Sequence, residues 1–477
     1  MRLPLSALRR RWSADGGYRE FLQVALPLIL TTASWSLQHF VNRVFLTWYS
    51  TDAVAAAMPA GMASFTFLSL FLGVAQYANT FVAQYMGAGR SERTGPAVWQ
   101  AIYLGVASGV LALVPAAFAR PLFELAGHEP AIRPLEATYF RILCYGTGPQ
   151  VVATAISCFF SGRGQTWVML GVNIAAISLN IALDYGLIFG HWGLPEMGIA
   201  GAGWATNVAG LLAVVLYVIV FLRPSHRSQF ATLSGWRLEG PLFRRLLRFG
   251  GPSGINFMLD VMAFTLFMLV VGRLGTRELA ATSLAFNINS LAFMPLIGCG
   301  IAVSTMVGQR LGRGAPEDAE YCTWTGLHLG ALYMGSMSLG YLLIPDVFLI
   351  PFGLRSQGPA FQEVHDLAAV LLRYVAVYCL FDAFYMVFTA ALKGAGDTRF
   401  IMWLSVALAW ALMVIPSYVA LTWFGASIFT LWSFVCIDVV VMGVVFFLRF
   451  RTGRWKGMRV IEESRPDNDL PPAPTAS

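Results

Sequence analysis

The feature that most constrains this chain is a series of apolar runs, each about 20–28 residues long, that recurs along its whole length. A run of that length forms a helix that crosses the roughly 30 Å hydrocarbon core of a bilayer. An outer-membrane barrel would instead show alternating segments of roughly ten residues, which this sequence lacks. We therefore predict an all-α polytopic membrane protein with twelve transmembrane helices, at residues 21–46, 54–84, 97–118, 135–160, 167–190, 198–222, 244–271, 279–308, 322–345, 366–392, 399–422 and 425–449.

The basic residues predict which side of the membrane each loop occupies. Both chain ends and the loops that follow even-numbered helices carry 24 of the 32 Lys and Arg residues, whereas the other loops carry five. Loops that stay in the cytoplasm are enriched in Lys and Arg. We therefore expect an inner-membrane protein with both termini in the cytoplasm. The same rule accounts for the net charge of +7 without a nucleic-acid partner.

The two halves of the chain repeat each other. FVAQYMGAG at 81–89 matches MVGQRLGRG at 306–314, and SGRGQT at 161–166 matches KGAGDT at 393–398. The first offset, 225 residues, also pairs several single positions without a gap: Pro27 with Pro252, Gly73 with Gly298, and Gln84 with Gln309. Because each unit holds six helices, an even number, both units enter the membrane with the same sidedness as parallel repeats.

This repeat divides the chain into two bundles and three connecting or terminal segments. We predict a cytoplasmic segment at 1–20, six-helix bundles at 21–222 and 244–449, a cytoplasmic linker at 223–243, and a cytoplasmic, largely disordered tail at 450–477. The Pro-rich, polar composition of the tail is typical of disordered segments.

Two carboxylates near the predicted midplane of the second bundle suggest a cation site. An ionised group at that depth costs about 3 kcal/mol on insertion scales, so it usually has a partner, a proton or an ion. Asp260 and Asp382 could share one cation, with Tyr378 one helical turn before Asp382 and Asn287 offering a carbonyl oxygen. Such oxygen ligands suit Na⁺, whereas the same carboxylates could instead hold a proton.

The first bundle contains a second polar group. Asp184 and Asn180 lie one turn apart in the fifth predicted helix, and Asn42 of the first helix offers an amide oxygen. A weaker cation site and a purely structural polar cluster are both open at this point. The roles of Asp438, a further buried acid in the twelfth helix, and of Arg43 are open as well.

The sequence favours an ion gradient as the energy source. Neither GAGRSERTG nor KGAGDT ends in the GK[ST] that a phosphate-binding loop needs, and we expect no cofactor. Aromatic and methionine side chains suit flat amphiphilic cations. Candidates to line a substrate cavity are Trp35, Met258, Met262, Phe286 and Tyr385.

In the order and spacing of these motifs, the chain resembles the multidrug and toxic compound extrusion (MATE) family over residues 15–455. The motifs that carry the resemblance are the early-helix prolines, AQYMGAG, GQRLGRG, SGRGQT, KGAGDT, LDVMAF and YCLFDAF. The resemblance implies two six-helix bundles arranged as a V around a central cavity. It also implies export of organic cations and other amphiphiles in exchange for Na⁺ or H⁺, with coupling acids at Asp260 and Asp382.

Two other functions compete with this antiporter hypothesis. A flippase of lipid-linked precursors has similar bundles, but its cavity should carry several Arg or Lys for pyrophosphate. A membrane enzyme or scaffold without transport would not need duplicated halves and midplane acids. We expect a monomeric transporter whose partners are a small amphiphilic substrate and the lipid bilayer, and which is not an enzyme.

Overall fold

Twelve long helices form the protein in a computed structural model, which describes residues 11–125, 130–353 and 359–462. We number them α1 to α12. Their bounds are Tyr18–Tyr49, Thr51–Gly87, Ser91–Ala117, Arg133–Gly162, Thr166–Phe189, Ile199–Phe221, Gly240–Gly272, Thr276–Gly312, Pro316–Leu343, Pro359–Ala395, Thr398–Phe424 and Ile428–Arg451. Shorter helices at Ala119–Leu125, Pro224–Phe230 and Pro345–Gly353 lie between them.

All twelve predicted helices are confirmed, and most extend a few residues beyond the apolar runs that predicted them. Among the described residues, eleven helices are long and apolar enough to cross a membrane. The exception is α9, which has 28 residues but includes His328 and several Thr, Ser and Gly. It packs against α8 and α10 within the second half, so its neighbours cover part of this more polar surface.

The two halves meet through α1 with α8 and through α2 with α7, and glycines allow their backbones to approach. A Cβ added to Gly73 would lie 2.7 Å from the Cα of Gly254, and one added to Gly298 would lie 2.6 Å from the backbone N of Ile29. Position 29 plus the 225-residue offset is position 254. The two contacts are therefore the same contact, made once by each half.

A second pair of contacts repeats in the same way. The Gln84 side-chain amide donates to the carbonyl of Gly394 at 2.9 Å, and that of Gln309 donates to the carbonyl of Gly162 at 2.8 Å. Both Gln and both Gly positions are repeat partners in the sequence. These contacts lie where the even-numbered helices end, which we call the basic end of the molecule. The halves are thus joined at the basic end about a pseudo-two-fold axis.

One helix of the second half departs from regular α geometry. In α11, residues Ala409–Val414 form a π-helical turn between two α-helical segments. Such turns are rare and occur frequently at functional sites. This turn packs against α7 and α12, both of which carry buried acids.

Two boundaries differ from the sequence predictions. Residues 450–462 of the predicted tail fold back onto the basic end, whereas 463–477, which include most of the Pro-rich stretch predicted to be disordered, lie outside the described residues. The predicted linker 223–243 contains the helix Pro224–Phe230, and α7 begins within it at Gly240. Residues 1–10 of the predicted N-terminal segment also lie outside the described residues.

Candidate functional site

Asp382 lies within the second half on α10, with Tyr378 one turn before it. Both are buried, at 6% and 2% exposure. The amide nitrogen of Asn289, on α8, lies 3.4 Å from the Tyr378 hydroxyl, to which it donates. The carbonyl oxygen of Asn289 is buried and has no hydrogen-bond partner among the described residues. Helices α8 and α10 thus place a carboxylate, a phenol and a free amide oxygen in one region.

Asp260 lies on α7 and is partly buried. The side-chain amide of Asn256, one turn earlier, donates to its Oδ2 at 3.0 Å. Lys393, in the last turn of α10, lies within electrostatic range of Asp260, although no ion pair joins them. Sequence reasoning placed Lys393 in a loop, but the structure makes it a partly buried neighbour of this acid.

Tyr385 relates the buried acids to one another. This α10 residue, one turn after Asp382, lies within electrostatic range of Asp260, Asp382 and Asp438. Asp260 and Asp438 also lie within electrostatic range of each other. Acids of three different helices are therefore in the neighbourhood of one phenol, which the sequence had suggested only as a cavity residue.

Contacts between α10 and α12 show how far Asp438 lies from the basic end. Cys436 meets the carbonyl of Tyr374, and Gly443 meets that of Phe381, so the two helices run in parallel with a constant offset of 62 residues. Asp438 is therefore level with residue 376, six residues before Asp382. At 1.5 Å per residue it lies about 9 Å farther from the basic end. Its Oδ1 is buried without a hydrogen-bond partner among the described residues.

In the structure Asn287 bonds Arg43, whereas the sequence analysis placed it beside Asp260 and Asp382. Its carbonyl oxygen accepts a hydrogen bond from Arg43 of α1 at 3.4 Å, and its amide donates to the carbonyl of Ser283. Asn289, two residues later, is the residue that bonds Tyr378. Arg43 of the first half thereby contacts the second half at a point far from the basic end.

The predicted cavity residues separate into different surroundings. Trp35 is 37% exposed, and its indole donates to Asn173 of α5 at 3.2 Å. Phe286 stacks on the fully buried Trp432 at 4.8 Å, within the core of the second half. Met258 and Met262 are partly buried on α7, on either side of Asp260. These contacts place Trp35 beside α5 of the first half and Phe286 in the core of the second half.

The polar group of the first half is also compact. With the Asn180 amide oriented to satisfy its neighbours, its nitrogen donates to Asp184 Oδ2 at 3.1 Å. Both residues are fully buried. Tyr139 of α4, which sequence reasoning missed, lies within electrostatic range of Asp184. The side-chain oxygen of Asn42, on α1, is buried and has no hydrogen-bond partner among the described residues.

These side chains offer oxygen ligands and exchangeable protons, and the arrangement suits reversible binding of one small cation. Among the described residues, no group of three or more His, Cys, Asp or Glu is close enough to hold a metal ion. A cation here would therefore depend on one or two carboxylates supplemented by phenol and amide oxygens. That weaker donor set favours exchange over permanent binding.

An apolar groove of about 400 Å³ lies elsewhere, between α3, α4 and α6. It is lined by Val106, Val110, Tyr145 and Leu211, among others, and contains none of the acids. Val106 and Val110 are more than half exposed on the outside of the first half. The groove is therefore separate from the candidate site.

Comparison with known proteins relates the whole chain to transporters. The family model MatE matches residues 27–186 and 252–419, two segments that begin 225 residues apart. The chain is 26% identical over 435 residues to "Probable multidrug resistance protein NorM" of Brucella suis, covering 90% of this chain and 92% of that protein. It is 27% identical over 418 residues to "Multidrug resistance protein PmpM" of Pseudomonas aeruginosa, covering 86% of each.

Solved structures share the fold. The eukaryotic MATE transporter AtDTX14 superposes with a TM-score of 0.82 at 18% identity, covering 92% of this chain and 96% of that chain. A multidrug resistance MATE family transporter in an outward-facing conformation superposes with a TM-score of 0.83 at 18% identity, covering 94% and 98%. At these identities the likeness concerns the arrangement of the helices.

Proposed function

The chain belongs to the MatE family, and from that premise we propose that it is a secondary active antiporter that exports amphiphilic, cationic organic compounds in exchange for Na⁺ or H⁺. As a member of that family it is a transporter and not an enzyme. The observation that carries the proposal is that Asp260, Asp382 and Asp438, on three different helices, all lie within electrostatic range of Tyr385. The names of the NorM and PmpM relatives supply the multidrug substrate class.

The closed basic end defines the transport state. Since loops rich in Lys and Arg stay in the cytoplasm, the basic end faces the cytoplasm and both termini lie there. The halves touch at this end where Gly87 approaches the backbone of Gln309 and Gly312 that of Gln84, and through the reciprocal glutamine bonds. The protein, working as a single chain, therefore stands in a state closed to the cytoplasm. Export requires these contacts to break and to form again in each cycle.

The acids of the second half supply the coupling. An ion drives a conformational change only if its affinity differs between the two states. Asp438 lies about 9 Å nearer the outer side than Asp382, so an entering cation meets it first. Asp382, with Tyr378 and the free oxygen of Asn289, forms the deeper site. Binding of the cation to Asp260 and Asp382 weakens the hold on the substrate and releases it outward.

The first half has a different role. Asp184 and Asn180 form a polar pair of their own, and Tyr139 lies within electrostatic range of the carboxylate. Because Asn42 cannot take up a proton, this group offers only one ionisable carboxylate. We assign it a secondary, structural or weakly cation-binding function.

Efflux from proteoliposomes tests the proposal. The purified protein is reconstituted with the aromatic cation ethidium inside, and Na⁺ and H⁺ gradients are imposed separately. We expect one gradient to accelerate ethidium efflux, and the acceleration to be lost in Asp260→Asn and Asp382→Asn. Gradient-driven efflux that persists in both variants would exclude coupling by these acids. Efflux independent of either gradient would exclude antiport.

A further inference from the structure

The chain does not leave the fold where α12 ends. Gly453 has a positive φ of 70°, which turns the backbone just after α12. A short helical turn follows at Arg454–Gly457. Trp455 is buried, and its ring stacks on Phe450 of α12 at 4.8 Å. We call residues 453–462 the C-terminal strap.

The first part of the strap is fixed to the second half. The Lys456 ammonium lies 2.9 Å from a Glu317 carboxylate oxygen and 2.6 Å from one of Glu320, both on α9. The side chain of Val460 lies 3.0 Å from the position of a Cβ on Gly396, in the turn between α10 and α11. This part of the strap would therefore move with the second half.

The far part of the strap reaches the first half. The backbone N–H of Val460 donates to the Gln84 side-chain oxygen at 2.9 Å, and Val460 and Ile461 are buried. Gln84 is also the residue whose amide bonds Gly394 of the second half. The fully buried Gln84 side chain is thus hydrogen-bonded both to the strap and to the second half.

The carboxylate of Glu462 joins both halves. One oxygen accepts from Arg90 at 2.8 Å, and Arg93 lies 3.7 Å away. The other oxygen accepts from Tyr85 at 2.8 Å and from Arg245 at 2.5 Å. Arg90, Arg93 and Tyr85 belong to the first half, whereas Arg245 belongs to α7 of the second.

This arrangement differs from an ordinary surface ion pair. An isolated exposed ion pair contributes little to stability, because water and salt screen the charges and both side chains lose conformational entropy. Glu462 instead makes several charge-assisted bonds at once, from donors on different helices. Its position is also fixed by the buried Val460 and Ile461 immediately before it.

We propose that the C-terminal strap is a latch that stabilises the state closed at the basic end. This proposal rests on the alternating closure described above, since a latch matters only if the halves part. For the basic end to open, the strap must release Gln84, Tyr85 and Arg90. Its strength therefore sets the balance between the closed and open states, and so the rate at which substrate can enter from that side.

Hydrogen exchange of the purified full-length protein, without substrate, tests the latch. The variant is Glu462→Gln, which preserves shape but removes the charge. The control is Glu363→Gln, which removes a carboxylate from an exposed pair with Arg277 within the second half. We expect amides in residues 80–93 and 305–315 to exchange roughly tenfold faster in Glu462→Gln, because a charge-assisted network is worth at least that factor. The control should match the unmodified protein.

A second variant separates a latch from a merely structural contact. Tyr85→Phe removes one donor from the first half and should produce a smaller increase in the same amides. A lower melting temperature in Glu462→Gln with unchanged exchange at the basic end would overturn the proposal. Faster exchange together with absent ion-driven efflux in the unmodified protein would retain the latch but refute the antiporter.

Discussion

At the scale of single residues, Tyr385 organises the candidate site. Its side chain lies within electrostatic range of Asp260, Asp382 and Asp438, which lie on α7, α10 and α12. A phenol can donate to a carboxylate and accept from a cation's hydration shell.

Replacing Asp382 with Asn should abolish ion-driven export while leaving the protein inserted and folded. The amide keeps the size of the side chain but cannot exchange a proton or balance a cation. We expect the maximal ethidium efflux rate to fall at least about tenfold, in line with the loss of a charged contact worth 1.5–3 kcal/mol. The matched control is Asp52→Asn, an exposed acid in the first turn of α2, which should retain normal efflux.

The two asparagines of α8 should differ in their effect on coupling. Asn289→Ala removes the group that bonds Tyr378, so we expect the concentration of coupling ion needed for half-maximal efflux to rise several-fold. Asn287→Ala affects the contact with Arg43 instead and should change that concentration little. An equal rise in both variants, measured by titrating the ion at fixed ethidium, would contradict the assigned positions.

Sequence reasoning identified the acids but not this asparagine. Buried carboxylates stand out in an apolar run because of their cost. Residues two apart on a helix differ in direction by about 200°, so choosing between Asn287 and Asn289 requires the rotation of α8 about its own axis. Packing between helices sets that rotation, and one sequence does not reveal it. Tyr139 was missed because its relevance depends on how α4 packs against α5.

At the scale of elements, glycines decide how closely α2 and α7 approach. A Cβ on Gly254 would lie 2.3 Å from the carbonyl oxygen of Leu70, which is backbone and cannot move aside cheaply. Three residues earlier on the same helix, a Cβ on Gly251 would meet nothing within 4 Å. The two positions therefore form a natural pair for testing the contact between the halves.

Gly254→Ala should destabilise the closed state, whereas Gly251→Ala should not. Overpacking a tight contact typically costs 1–3 kcal/mol, so about that loss is expected for Gly254→Ala. Alanine is the better helix former by roughly 0.5–1 kcal/mol, so Gly251→Ala should be neutral or slightly stabilising. Thermal unfolding in detergent measures both. A drop of equal size in the two variants would mean that the close approach does not limit packing.

The strap should weaken in acid. Burial raises the pKa of the Glu462 carboxyl, but its backbone hydrogen bond, the Tyr85 hydroxyl and the charges of Arg90 and Arg245 outweigh burial, so the pKa lies below its ordinary value of 4.5. The strap's contribution is thus complete above that ordinary value and is lost as the pH falls through the lowered pKa.

The other charged groups facing this carboxyl do not produce the same transition. Arg90, Arg93 and Arg245 keep their charge throughout. Glu239, which pairs with Arg93, and Glu317 and Glu320, which hold Lys456, also take up protons in acid, but all three remain in Glu462→Gln. Hydrogen exchange at the basic end, corrected for the intrinsic pH dependence, should therefore accelerate in acid in the unmodified protein. The acceleration should be clearly smaller in Glu462→Gln. A step of the same size in both proteins would assign the acid sensitivity to another group.

At the scale of the whole molecule, the duplicated halves determine the architecture. The twelve helices and their sidedness were predictable because apolar length and basic loops are strong, local signals. The repeat was visible in matched motifs, and the structure shows it again in reciprocal contacts at Gln84 and Gln309. The strap was not predictable, since its short polar sequence resembles a disordered tail until the junction that receives it is known.

The two repeat glutamines should contribute unequally to closure. Gln84→Ala breaks bonds to both Gly394 and Val460 and leaves buried groups unpaired, whereas Gln309→Ala loses only the bond to Gly162. An unpaired buried group costs about 1–3 kcal/mol, so Gln84→Ala should open the basic end more. Spin labels at Ser91 and Arg313 can report the opening as a distance distribution. Identical distributions in the two variants would show that the strap adds nothing at Gln84.

The reciprocal bonds of Gln84 and Gln309 bear on how the duplicated protein arose. In a contact that obeys two-fold symmetry, each partner offers the same patch to the other, as in a homodimer of identical subunits. Two copies of a single six-helix ancestor could thus have associated through this junction before their genes fused. Fusion then allowed the copies to diverge, since Asp260 and Asp382 of the second half correspond to Trp35 and Gln150 in the first.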